Sequence, residues 1–221
     1  MSEIVIAIDG PAGAGKSTVA KALAKELGLR YLDTGAMYRA LALKAQRQGL
    51  GADDADQVAV MGESTAITFG VGDPQPVLLD GQDVTGEIRT LEIGELASAL
   101  STNSHIRRVL VERQKAIVAA GGVTLEGRDA TTVIAPHAGV RVYLTASLEE
   151  RAKRRHLEME QKGDAPAYSE VRQQVENRDH RDITREDSPL TVAEGVHIVE
   201  SGGIPVEQVV ARIREFISSQ Q

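Results

Sequence analysis

The chain opens on an uninterrupted apolar run, Ile4-Val5-Ile6-Ala7-Ile8, the pattern of a strand buried on both faces. The period then lengthens: residues 17–27 repeat as a helix and stop at Gly28, a residue suited to the left-handed turn that ends helices. Arg30-Tyr31-Leu32-Asp33 predicts a short second strand, and Thr34-Gly35 turns into a helix over 36–48. Gly49 and the stretch 51–56 mark a break. Between 64 and 84 the period shortens. Ala66-Ile67-Thr68-Phe69 and Pro76-Val77-Leu78-Leu79 predict strands of a small antiparallel sheet, with Gly72-Asp73-Pro74 and Asp80-Gly81 as its turns. Helices are expected over 88–101 and 104–120, the second closing on Gly121-Gly122. Val123-Thr124-Leu125-Glu126 and Val140-Arg141-Val142-Tyr143-Leu144 predict further strands. Ser147 with Glu150 offers a capping box for a helix through 161. Residues 162–166 break it, and a second charged helix spans 169–178. Val196-His197-Ile198-Val199 is the last strand. Pro205 starts a closing helix to 217, whose Val206, Val209, Val210, Ile213 and Ile217 have core-facing periodicity.

Strands separated by helices predict an α/β fold with a parallel sheet and right-handed crossovers; the antiparallel piece reads as an insertion. Ligands of such sheets sit beyond the carboxyl ends of the strands. Three clusters fall there: Gly10-Pro11-Ala12-Gly13-Ala14-Gly15-Lys16-Ser17, Asp33-Thr34-Gly35 and Glu126-Gly127-Arg128-Asp129. The first matches the G-x-x-x-x-G-K-[ST] phosphate loop in its strand–loop–helix context. Small residues leave successive backbone N–H groups free to point inward, and the helix start adds partial positive charge. Lys16 supplies an ammonium for the terminal phosphates, and the Ser17 hydroxyl is placed to ligate magnesium. Residues 10 through Thr18 are therefore the expected stretch for binding a nucleoside triphosphate.

At 221 residues and 42% hydrophobic content, the chain can bury roughly 70% of its unfolded surface. The first apolar run is too short for a signal peptide, and no stretch nears the ~20 apolar residues that span a bilayer. Without cysteine, disulfides, thiolate zinc sites and cysteine nucleophiles are excluded. A cytoplasmic protein is expected, without membrane contact. Net charge is −7, but 107–185 holds 15 Lys and Arg against 12 Asp and Glu, while the remainder holds 10 against 20. A locally basic segment in an acidic chain suits a small phosphorylated ligand. Aromatics make up 3% with no Trp, too few for stacking on single-stranded nucleic acid, so nucleic acid is not an expected partner. His105, His137, His156, His180 and His197 show no metal-ligand spacing.

Transfer of a phosphoryl group asks the protein for positioning and positive charge. The helix from 148 carries Arg151, Lys153, Arg154 and Arg155, and the next leads into Arg178-Asp179-His180-Arg181-Asp182-Ile183-Thr184-Arg185. Two arginine-bearing helices joined by a Gly/Pro break predict a mobile cover that closes over phosphates. The alternative is a pair of solvated surface helices.

Five motifs in this order and spacing resemble bacterial cytidylate kinases: residues 10–17, Asp33-Thr34-Gly35-Ala36-Met37-Tyr38-Arg39, Val84-Thr85-Gly86-Glu87-Ile88-Arg89-Thr90, Glu126-Gly127-Arg128-Asp129 and Arg178-Asp179-His180-Arg181-Asp182. The resemblance spans nearly the whole chain. It implies a P-loop kinase core of parallel strands with helices on both faces, a monophosphate-binding region at 36–100 holding the antiparallel sheet, and a helical lid at 150–185. It implies transfer of the γ-phosphate of ATP to CMP or dCMP, with Mg2+; a monomer is expected. By motif, Arg39, Arg128 and Arg185 are expected near the acceptor phosphate. Ser98, Arg107 and Asp129 are expected at the cytosine with Thr34 nearby, and Arg178 and Asp182 at the sugar. Arg151 and Arg154 are expected to approach the transferring group, with Lys16, Arg128 and Arg185. Glu200-Ser201 departs from the Asp-Ser or Asp-Thr of many relatives and is given no role.

Chemistry supports the base assignment. Cytosine presents an amine beside two acceptors, so Asp129 can accept while Arg107 and Ser98 donate. Uracil would set a carbonyl against the carboxylate. No general base is expected, because the acceptor phosphate is already ionised. Kinases for UMP or shikimate are the nearest alternatives. A GTP-binding switch would carry an Asn-Lys-x-Asp guanine motif, and none occurs here.

Overall fold

The computed structural model describes residues 4–161, 163 and 166–218; of the expected break at 162–166, Lys162, Asp164 and Ala165 lie outside the described residues. In chain order come β1 (Val5–Asp9), α1 (Lys16–Leu27), β2 (Arg30–Asp33), α2 (Thr34–Arg47), α3 (Ala55–Ser64), β3 (Ile67–Phe69), β4 (Val77–Leu79) and β5 (Gln82–Asp83). There follow α4 (Leu91–Leu100), α5 (Ser104–Ala119), β6 (Val123–Gly127), β7 (Val140–Thr145), α6 (Leu148–Gln161), α7 (Tyr168–Thr184), β8 (His197–Glu200) and α8 (Val206–Ser218). They form two compact units, Met1–Leu32 with Ile117–Gln221, and Asp33–Ala116.

The first unit is built on a five-stranded sheet of order β2-β6-β1-β7-β8. Central β1 pairs in parallel with β6 and β7, setting Ile8 opposite both Glu126 and Val142. Its position explains the unbroken apolar run, since Ile6, Ala7 and Ile8 are wholly buried. Ile6, Ile8, Val140, Val142, Leu144 and Val199 of the sheet meet Val19, Ala20 and Leu23 of α1 and Val209, Val210 and Ile213 of α8. Gly28 takes the left-handed conformation (φ 66°) and its N–H donates to Ala24 O, closing α1. This is the expected α/β architecture, and it delivers residues 10–15 beyond the end of β1. The helices α6 and α7, covering the stretch expected as a lid, pack on each other.

In the second unit β3, β4 and β5 form an antiparallel sheet, and α2 packs on α4 and β4. The expected region 36–100 lies inside this unit.

Several elements differ from the sequence pattern, each for a local reason. Helix α2 begins at Thr34 because the Asp33 side chain accepts from Ala36 N at 2.9 Å and caps it. The helix expected over 88–101 is split: a single 3-10 turn (Glu87–Arg89) precedes Thr90, whose Oγ1 accepts from Ile93 N at 3.3 Å and starts α4. Helix α3 buries only Val58, Ala59 and Gly62, too small an apolar face to show in the pattern. Strand β5 and a π-helical turn over Ala130–Ile134 were not expected either. Helix α7 continues to Thr184 rather than ending at Arg178, so the Arg178–Asp182 motif lies on a helix. No helix among the described residues is long and apolar enough to cross a membrane.

Candidate active site

The phosphate loop leaves β1 at Gly10, whose φ of 149° and surroundings require glycine: a Cβ there would lie 1.9 Å from Leu144 O. Lys16 begins α1 and is buried, its Nζ donating to Pro11 O at 2.8 Å. Burial first, then the Arg128 guanidinium, lowers the Lys16 pKa to about 7, with Glu126 opposing the shift. A bound polyphosphate would favour the charged ammonium again. Ser17 Oγ donates to Glu126 Oε1 at 2.6 Å, and the Tyr31 hydroxyl donates to the same oxygen at 3.2 Å. Glu126 stands in β6, and the motif reading had given it no task of its own.

Beyond Glu126 the chain turns through Gly127, Arg128 and Asp129. Asp9, at the end of β1, anchors this turn: Oδ1 accepts from Ala130 N at 2.8 Å, and Oδ2 accepts from Thr131 N at 2.7 Å and Thr131 Oγ1 at 2.6 Å. Burial pushes the Asp9 carboxyl up, against the Thr131 hydrogen bonds. Asp129 itself is buried.

Arg178, Asp182 and Arg185 recur at helical spacing at the end of α7. Arg128 Nε donates to Asp182 Oδ2 at 2.7 Å, and Arg185 Nη1 stands 3.6 Å from Asp182 Oδ1. Arg185 also donates to Ser188 O through Nε at 2.8 Å and Nη2 at 2.6 Å. Burial pushes the Asp182 carboxyl up, but Arg128, Arg178 and Arg185 together outweigh it and hold the group below its ordinary value. Arg128, Arg178 and Asp182 also act electrostatically on Lys16. The first unit thus gathers Lys16, Arg128, Arg178 and Arg185, with Glu126 and Asp182 among them, into a set of ammonium and guanidinium groups suited to phosphates.

Arg151 and Arg154, expected at the transferring group, are engaged with the protein itself. Arg151 is buried and donates to Ala146 O, Ala12 O and Asp179 Oδ2. Arg154 donates to Ser201 Oγ at 3.1 Å and Ser201 O at 2.6 Å, and Ser201 Oγ donates to Ala14 O at 2.8 Å. Ser201, left without a role in the sequence, is therefore tied to both the loop and α6.

In the second unit, Thr34 opens α2 and is buried. Arg39 Nη1 donates to Ile88 O at 3.0 Å, and its guanidinium lies against Gly94, where a Cβ would come within 2.8 Å. Arg107 is buried, donates to Ser101 O at 3.3 Å and lies 5.7 Å from the Tyr38 ring centre. Ser98 is 5% exposed, and its Oγ has no hydrogen-bond partner among the described residues. A buried hydroxyl in that condition calls for a ligand or a water. Arg89 pairs with Asp33 at 2.8 Å, a contact the motif reading did not contain.

No cluster of three or more His, Cys, Asp or Glu that could hold a metal occurs among the described residues. The Ser17–Glu126 pair nevertheless supplies the hard oxygen atoms that Mg2+ prefers, and that ion usually takes few protein ligands beside phosphate oxygens and water.

A parallel sheet whose first strand runs into a glycine loop, ringed by a buried lysine and guanidinium groups, defines a P-loop protein built to hold phosphates. A sequence profile for cytidylate kinase matches residues 6–219. The chain is 47% identical over 213 residues to a cytidylate kinase of Carboxydothermus hydrogenoformans, covering 96% of each. It is 44% identical to one of Caldanaerobacter subterraneus, covering 97% of this chain and 94% of that one. A gluconokinase structure from Sinorhizobium meliloti shares the fold, with a TM-score of 0.52 at 15% identity over 98% of this chain and 93% of that one. The chain belongs to the cytidylate kinase family.

Proposed function

We propose that this protein transfers the γ-phosphate of ATP to CMP or dCMP, giving CDP or dCDP and ADP, by direct in-line transfer. The observation that carries the reading is the cationic set Lys16, Arg128, Arg178 and Arg185 beside the phosphate loop, in a chain of the cytidylate kinase family. Residues 10 to 18 bind ATP. Ser17 and Glu126 would hold Mg2+, which when bound would supply neutralising charge for the phosphates of ATP. Lys16, Arg128 and Arg185 offset the charge that builds on the transferring group. The acceptor phosphate attacks in its ionised form, so Asp129 recognises the base and removes no proton.

Ser98 and Arg107 serve as donors to cytosine, Thr34 lies near them in this reading, and Arg39 takes the acceptor phosphate. Arg178 and Asp182 hold the sugar. The protein acts as a cytoplasmic monomer on small-molecule substrates alone. ADP release measured with a panel of acceptors tests the reading. CMP and dCMP should turn over well above UMP and shikimate, and preference for UMP would refute the assignment of Asp129.

A further inference from the structure

Both backbone groups of Ala12, inside the phosphate loop, are held by side chains of α6 and α7. Ala12 N donates to Asp179 Oδ1 at 3.1 Å, and Ala12 O accepts from Arg151 Nη1 at 3.0 Å. The same guanidinium nitrogen donates to Asp179 Oδ2 at 2.5 Å, and Arg151 Nε is fixed by Ala146 O at 3.0 Å. Arg151 and Asp179 are both buried. The next loop residue is pressed against the same helix: a Cβ on Gly13 would lie 3.0 Å from Arg151 Cβ and from Arg151 O.

We propose that Arg151 and Asp179 form a clamp on Ala12 that sets the shape of the phosphate loop, making both positioning residues for the ATP phosphates. Two physical arguments lead there. A carboxylate bonded to Ala12 N occupies that donor and would repel any phosphate brought to it, so the anion is left to the other amides of the loop. The guanidinium then neutralises the carboxylate and fixes the neighbouring carbonyl, so that the peptide groups on either side of Ala12 cannot rotate independently. Removing one partner strands the other as a buried, uncompensated charge. The clamp assigns Arg151 to the loop rather than to the transferring phosphoryl group, and it joins both arginine-bearing helices to the donor site. It rests on the kinase reading only in taking ATP as the loop's ligand.

The test is MgATP affinity, by calorimetry, of wild type and Asp179→Asn, alongside KM for CMP. Asparagine can still accept from Ala12 N but offers an amide, not a carboxylate, to Arg151. The expected result is an ATP dissociation constant raised roughly tenfold, with KM for CMP within about twofold of wild type. A residue important only for folding would lower the melting temperature and the active fraction without that split. If Asp179→Asn does not fold, Arg151→Lys, which keeps the charge and loses the planar fork, should weaken ATP in the same way. Wild-type ATP affinity in either folded variant overturns the clamp. Failure of the wild type to bind MgATP overturns the kinase reading instead.

Discussion

Ser17 Oγ and Glu126 Oε1 stand 2.6 Å apart, joining the first turn of α1 to the fourth residue of β6. Parallel pairing of β1 with β6 produces this meeting, because it sets Glu126 beside Ile8, two residues before the loop begins. A hydroxyl and a carboxylate at that distance form an oxygen-lined corner for a hard cation. Glu126→Gln keeps the shape and removes the charge. It should raise the free Mg2+ needed for half-maximal activity at least about tenfold. An unchanged Mg2+ titration would leave Glu126 a purely structural partner of Ser17.

Lys16 has an apo pKa of about 7 because it is buried beside Arg128. Anionic phosphates return the lysine toward its ordinary value near ~10.4, so between those two pH values the free protein holds Lys16 neutral and the complex holds it charged. Binding of ATP near pH 8.5 should therefore take up close to one proton. Calorimetry in buffers of different ionisation enthalpy measures this number directly, and Lys16→Met should abolish it. The sign for apo stability follows from the same shift. The unfolded chain binds the extra proton between about 7 and ~10.4, so the folded state gains stability as pH rises through that window. Lys16→Ala should also lower turnover by orders of magnitude.

Ser98 Oγ is buried without a partner among the described residues. Removing a hydroxyl in that state costs the fold nothing and can relieve about 1 kcal/mol of desolvation. Ser98→Ala should therefore leave the denaturant midpoint unchanged or raised, while KM for CMP rises severalfold. A loss of stability with normal KM would make Ser98 a packing residue.

The turn carrying Arg128 and Asp129 depends on Asp9, which takes three hydrogen bonds from Ala130 and Thr131. Asp9→Ala strands those donors and should cost about 2–4 kcal/mol, read from chemical denaturation. Asp129→Ala should leave stability closer to wild type and lower the CMP/UMP ratio of kcat/KM more than it weakens ATP. A constant ratio would remove Asp129 from base recognition.

Features made by neighbouring residues are legible in the chain: the phosphate loop, its flanking strand and helix, the Gly28 stop and the antiparallel insertion. Features made by distant residues are not. Asp179 reaches Ala12 across 167 positions and Ser201 reaches Ala14 across 187, and no local pattern encodes either contact. The final turns of α7 are also hidden. Residues 178–184 are almost all polar and carry no apolar stripe, so the helix persists through partners such as Arg128 and Arg151 rather than through a core face. Glu126 shows the same limit. It lies inside a recognisable motif, yet its task follows only from the register of β1 against β6.

The central claim is that this chain moves a phosphoryl group from ATP to a cytosine nucleotide. Phosphorus-31 NMR of one sample holding MgATP, CMP and UMP in equal amounts tests it most directly. CDP and ADP should appear together in equal quantity, well ahead of any UDP. Inorganic phosphate released without CDP, or UDP formed first, would contradict the account.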